Sequence, residues 1–398
     1  MHSTDFFSCH GLADDDVEEL KFQAFNFLQK CRNKKGEYLL TPLSDSSPFT
    51  QTFAIFLLHF LGKLNKESVN YDEVSISLVE GLYKYKKERE SVKKIDRDKY
   101  FMQLFSFVLS ALYLLNKTKE YPLEELIVQL LPDDMEQYLK EVGSFQGVSQ
   151  SGNLAMCMGV FSIYARDVLK KDTQILVNDW VVSHLEAMND NGFWGEGKTT
   201  HLQFQNGYHQ YEIFEYLAVH NHGAKNAANL VRKTSDIRGQ YAPYFGGSGC
   251  YDYDAVAILT APELSLSDKN KTLLIKTGNT ILSERNSDGG FSESQWRRPL
   301  TIKSLFYGVR HVVGVSGDLR KERARYFASM LLPKNNRLDT HWTKHSRQWS
   351  ESNLWDTWFR LLTIARIDIA LDCKNSKRWG FIDFPGIGFH HFMVDDTK

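Results

Sequence analysis

The sequence predicts an all-α fold, a single ring of paired helices, and three observations predict it. Apolar residues recur at helical spacing along most of the 398 residues. Alternation of period two is hardly seen, so few or no strands are expected. Similar glycine-rich turns also recur between the helices: Gly36-Glu37-Tyr38, Asn191-Gly192-Phe193-Trp194-Gly195, Gly246-Gly247-Ser248-Gly249 and Asp288-Gly289-Gly290-Phe291. From Gly192 to Gly247 is 55 residues and from Gly247 to Gly289 is 42, the spacing of stacked helix pairs. An open solenoid would share that period. Turns rich in glycine and aromatics suit the crowded rim of a closed α/α toroid better, so closure is expected.

The elements follow in order. Residues 14–31 open with three aspartates and carry Leu20, Phe22, Phe25, Phe27 and Leu28 at roughly helical spacing, an amphipathic outer helix. The run after Pro48 and that of residues 99–117 are apolar nearly all round, which predicts buried inner helices. Inner-helix starts are expected near Phe49, Tyr100, Ser151, Asn206, Tyr251, Pro299 and Asn353, giving six or seven hairpins in one domain over 1–398. The aromatic tail of residues 376–398 is expected to cap one end.

Composition bounds the function. A formal net charge of −1, with 42% hydrophobic and 24% charged residues, describes an ordinary globular chain and argues against nucleic acid as a partner. The densest charge run, residues 84–99, mixes signs and is read as a solvated face. No run reaches the ~18 apolar residues of a membrane span. The first residues lack a basic n-region and an apolar h-region, and five scattered cysteines suit a reducing compartment, so a cytoplasmic location is expected. The expected partner is a small-molecule substrate; oligomeric state is left open.

Polar groups on presumed inner helices mark the candidate site, because a buried polar stripe is costly unless it meets water or a ligand. Tyr208, Glu212 and Glu215 fall on one stripe at i, i+4, i+7, with His209 adjacent. Tyr208 or His209 is a candidate general acid or base oriented by Glu212, or the group is a structural network. Arg297, Arg298, Lys303 and Tyr307 cluster before a helix start, where paired guanidiniums suit an anionic group. Trp342, Trp349, Trp355 and Asp356 would wall a pocket, able to stack on a sugar or stabilise a cation. Asp356 pairing with Arg360 at i+4 is the structural alternative.

The turns "NDNGFWGEG" and "NSDGGFSES", each leading toward an apolar helix, resemble those of the terpenoid cyclase/protein prenyltransferase superfamily over roughly residues 36–365. That resemblance implies an α/α toroid with a central cavity. "DYDAVA", residues 252–257, resembles the Asp-x-Asp-Asp run of class II terpene cyclases with Ala255 in the final place, which implies Asp254 as proton donor beside Asp252. A helix start should instead stabilise the anion, so an Asp252 N-cap followed by a first-turn Asp254 is the alternative. "SGCYDYD" also resembles the zinc-binding run of prenyltransferase β-subunits, with Ser248 where an aspartate belongs. Cys250 and Asp356 are thereby weak ligands for zinc, no cofactor is expected, and zinc or magnesium is a minor alternative. The leading expectation is an enzyme acting on a largely apolar, isoprenoid-like substrate by acid/base chemistry. Its rivals are a carbohydrate-active lyase, hydrolase or epimerase, and a non-catalytic binding scaffold.

Overall fold

The computed structural model describes residues 6–91 and 94–390. Its helices are α1 (Asp14–Lys30), α2 (Pro48–Phe60), α3 (Tyr71–Glu90), α4 (Lys99–Leu114), α5 (Glu124–Leu130), α6 (Met135–Glu141), α7 (Ser151–Asp167), α8 (Gln174–Glu186), α9 (His201–Tyr216), α10 (Ala224–Lys233), α11 (Gly249–Leu259), α12 (Asp268–Ser283), α13 (Ile302–Val313), α14 (Gly317–Met330) and α15 (Leu354–Leu371). The named strands, β1 (Arg337–Leu338) and β2 (Arg347–Gln348), form one short antiparallel pair. The all-α class is as the sequence predicts.

The helices sort by burial as their sequences dictate. α2 begins with a capping box between Ser47 and Thr50, with Pro48 in its first turn, and is buried along almost its whole length. α4 starts at Asp98, whose carboxylate accepts from the Tyr100 and Phe101 amides and pairs with Arg89 at 2.6 Å. α15 starts at an Asn353 cap and is buried from Leu354 to Ile369. By contrast α1 buries one stripe: Val17, Leu20, Ala24, Phe27 and Leu28.

Six of the buried helices pack in cyclic order: α2 on α4, α4 on α7, α7 on α9, α9 on α11, α11 on α15, and α15 back on α2. One apolar cluster runs through them from Phe7 to Phe389. Five of the expected inner starts lie within two residues of a member of this set, and Asn206 falls more than a turn inside α9. The start expected at Pro299 is corrected: α13 packs on α14 as a separate hairpin between α12 and α15. The reason lies in its sequence, since only Ser304, Gly308 and His311 of α13 are buried.

Close approach between α7 and α9 depends on Gly152. Its amide donates to Asn206 Oδ1 at 2.9 Å, and a Cβ there would overlap the Asn206 carbonyl oxygen. Gly152→Ala is therefore expected to destabilise by roughly 1–3 kcal/mol, whereas an unencumbered helical glycine gains about 1 kcal/mol from alanine. The sign of the change in thermal midpoint decides. The tail packs as far as it is described: Trp379 stacks on Phe60 at 5.6 Å, Phe384 meets Tyr113 at 4.5 Å, and Phe389 meets Phe56 at 4.8 Å. Residues 391–398 lie outside the described residues.

Candidate functional site

The N-terminal halves of α4, α7, α9, α11 and α15 bring polar side chains to one end of this helix set. Asp252 and Asp254, two apart on α11, point to opposite sides, as 100° per residue requires. Asp252 faces α15 and the loop before α11. It pairs with Arg360 Nη1 and accepts from the Tyr241 amide at 2.6 Å. Burial lifts its carboxyl to about 7, with Arg360 and the Tyr241 amide opposing. The N-cap expected at Asp252 is corrected, because Ser248 holds that position.

Asp254 is 2% exposed and its Oδ2 has no hydrogen-bond partner in the protein. Burial holds the carboxyl well above the usual range, and the nearby charges of Glu212 and Asp252 push the same way. The helix start was expected to favour the anion, but desolvation plus two like charges wins. A carboxyl shifted in this direction is the kind a proton donor needs.

Behind it, α9 and α11 are tied by a carboxylate knot. Tyr208 Oη donates to Glu212 Oε1, and Tyr253 Oη donates to the same oxygen at 3.1 Å. Burial, then the charge of Glu215, raises Glu212 to about 7. Glu215 is bound by Arg366 at 2.8 Å. Glu212 therefore does not orient His209, as the sequence suggested. Asn153 of α7 does: its Nδ2 lies 2.5 Å from His209 Nε2, and His209 Nδ1 lies 3.4 Å from the Asn206 carbonyl. With Asn153 donating, the ring is neutral and carries its proton on Nδ1. Burial, aided by the Lys99 charge, lowers its pKa to about 3.

Lys99, the first residue of α4, completes this face. Burial lowers its own pKa, and its charge acts on Cys157, Cys250, His209 and His341. His341 stacks on Tyr100 at 4.0 Å and sits 3.2 Å from Gln103 Oε1. On the α15 side, Asp356 Oδ2 accepts from Asn353 at 2.6 Å and faces Arg347 at 3.4 Å. The i+4 pairing of Asp356 with Arg360 is thus corrected, since Arg360 has turned to Asp252. Asp356 Oδ1 and Arg347 Nε and Nη1 have no protein partner. Burial and the Glu293 charge lift Asp356 to about 7.

The remaining predicted residues are placed elsewhere. Arg297 is clamped between the Tyr244 and Trp349 rings, 4.6 and 4.2 Å away, and donates to Ser329. Arg298 binds the Met330 and Leu332 carbonyls. Lys303 lies over Trp296 at 5.0 Å, and Tyr307 stacks on Phe245 at 4.9 Å. These four hold the α13–α14 hairpin and do not converge as an anion clamp. Trp355 packs among Phe359, Trp342 and Phe53 at 4.4, 4.7 and 5.0 Å, filling space as much as lining it. Cys250 is near Ser248 Oγ at 3.7 Å, and burial pushes its thiol up. Among the described residues no three His, Cys, Asp or Glu side chains group to hold a metal.

Lys99, Glu293 and Arg347 escaped sequence reasoning. Lys99 ends a mixed-charge run that reads as solvated, yet it is also the first residue of a buried helix, and that position was the available signal. No protein-family model matches this chain, and comparisons with curated proteins and with solved structures find no match either.

Proposed function

We propose that the chain is an acid/base enzyme built on a closed α/α toroid, as in the terpenoid cyclase/prenyltransferase-like superfamily, with Asp254 as its proton donor. The observation that carries this reading is a buried carboxyl with one oxygen free of protein partners, held by burial and by two neighbouring acids well above its ordinary range. Glu212 acts as a positioning residue: its charge, where it is ionised, adds to the burial that raises Asp254. Glu212→Gln is expected to move the pH at which activity is lost, as Asp254 ionises, downward. A merely structural Glu212 would lower activity without moving that limb.

The substrate class that fits best is hydroxyl-rich, of the carbohydrate kind. Arg347 Nε and Nη1, Asp356 Oδ1 and Asp254 Oδ2 all want polar partners. Covering them with an isoprenoid chain would leave each unmatched, at roughly 1–3 kcal/mol apiece. A cavity of about 690 Å³ opens beside Trp342 and His341, lined by Tyr38, Gln51 and Tyr85 and by charged groups such as Arg32, Glu37 and Lys84; Asp254, Asp356 and Arg347 are not in its lining. What favours the isoprenoid reading is the aromatic packing of Phe53, Phe107, Trp355 and Phe359 beneath the polar layer.

Native mass spectrometry of Asp254→Asn isolated from its own host tests the proposal. A co-purified saccharide-class mass, enriched over wild type, is the expected result. An isoprenoid mass would overturn the substrate class, and equal ligand loading of wild type and variant would overturn the donor role.

A further inference from the structure

α13 is amphipathic in the inverted sense. Ile302, Phe306, Val309 and Val313 recur at i, i+4, i+7 and i+11, so they form one stripe. That stripe faces solvent: Ile302 is 89% exposed, Phe306 and Val313 61%. Ser304, Gly308 and His311 are the residues turned inward. The apolar surface continues past the helix, because Leu300, Leu331 and Leu332 are exposed as well. Arg298 draws these segments together by donating to the Met330 and Leu332 carbonyls.

The segment that carries the stripe is rich in positive charge. Residues 296–337 hold ten of the chain's 48 Lys and Arg, of which Arg297 and Arg323 are buried, but only two of its 49 Asp and Glu. Of those two acids, Glu322 is turned inward onto His201 and Asp318 is paired with Lys321 at 3.3 Å. Lys303 and Arg310 are exposed on α13 itself. Arg320 sits at its C-terminal end, donating to the Val313 and Val315 carbonyls. A chain that is neutral overall has therefore gathered its positive charge around its most exposed apolar helix face.

We infer that α13 docks on an anionic lipid bilayer surface, with its apolar stripe in the headgroup–acyl boundary and its basic flank on the phosphates. A bilayer of acidic lipid offers apolar depth and negative charge together. A second copy of this chain would set like charges against each other across the same face. The inference is independent of the reaction proposed above.

Flotation of the full chain with vesicles of phosphatidylcholine, with and without phosphatidylserine, tests it. The protein is expected to float with the acidic vesicles, to float weakly with phosphatidylcholine alone, and to release as salt rises. Phe306→Ser should lower the partition coefficient roughly ten-fold or more, and Lys303→Ala and Arg310→Ala about five-fold each. Phe306 and Arg310 are exposed, so their variants should keep the wild-type thermal midpoint, whereas Lys303→Ala also gives up its contact with Trp296; Ile175→Ser on α8, at a position 70% exposed, should float like wild type. Absence of flotation with acidic vesicles, or equal flotation of Phe306→Ser, would overturn the inference. So would a dimer seen by light scattering that depends on Phe306 and forms without vesicles.

Discussion

Asp254→Asn is expected to cut turnover by about 10²–10⁴-fold while making the protein more stable at alkaline pH. The two effects have one cause. In the folded chain the carboxyl is held well above its ordinary value of 3.8 by burial and by Glu212 and Asp252. Below about pH 4 both folded and unfolded chains carry the proton, and the group costs nothing. As pH rises, the unfolded chain ionises first, so stability is lost progressively through the folded value. Asparagine keeps a similar shape and never ionises, so the variant should match wild type near pH 4 and exceed it near pH 8. Glu212, raised to about 7, adds a second decline between its ordinary 4.5 and 7. Because the two carboxyls interact, Asp254→Asn also eases the Glu212 decline above the pH at which Asp254 ionises, which adds to the gap in the same direction. Denaturant titrations at the two pH values measure the gap, and a variant less stable than wild type at pH 8 would contradict this account.

Arg360→Leu is expected to give the largest loss of stability, roughly 3–5 kcal/mol. Arg360 ties α15 to α11 through Asp252, which is fully buried. Without the guanidinium, Asp252 must either stay ionised without its partner or take up a proton. Since Arg360 opposes the burial that lifts Asp252 to about 7, its removal raises that value further. The loss should therefore be greater at pH 8 than at pH 5. Replacing both residues by leucine should recover most of it, because two apolar side chains leave no buried charge behind. Urea unfolding of the two single variants and the double variant supplies the test.

Much of the helical plan was legible because burial leaves a mark on composition. α2 and α4 are apolar nearly all round, and Pro48, Asp98 and, for α15, Asn353 mark helix starts locally. α13 was not legible, because its spacing of apolar residues reads the same whether the stripe faces in or out. Only its partner, α14, settles that. Within the candidate site, the stripe of Tyr208, Glu212 and Glu215 could be read from spacing, and so could the divergence of Asp252 and Asp254. Their partners could not. Asn153 reaches His209, and Tyr253, Arg360 and Arg366 reach Glu212, Asp252 and Glu215, across distances in sequence of 41 to 151 residues, and local pattern carries no information about which helix will face which. The upward shift of the Asp254 carboxyl is partly of the same kind, since to burial it adds the charge of Glu212, which arrives from α9.

Infrared spectroscopy of the carboxyl C=O stretch at pH 7, as a difference between wild type and Asp254→Asn, reads the protonation state of that single group. A protonated-carboxyl band present in wild type and missing from the variant is the predicted result. If only a carboxylate signal disappears on substitution, Asp254 is an anion at neutral pH and has no proton to give.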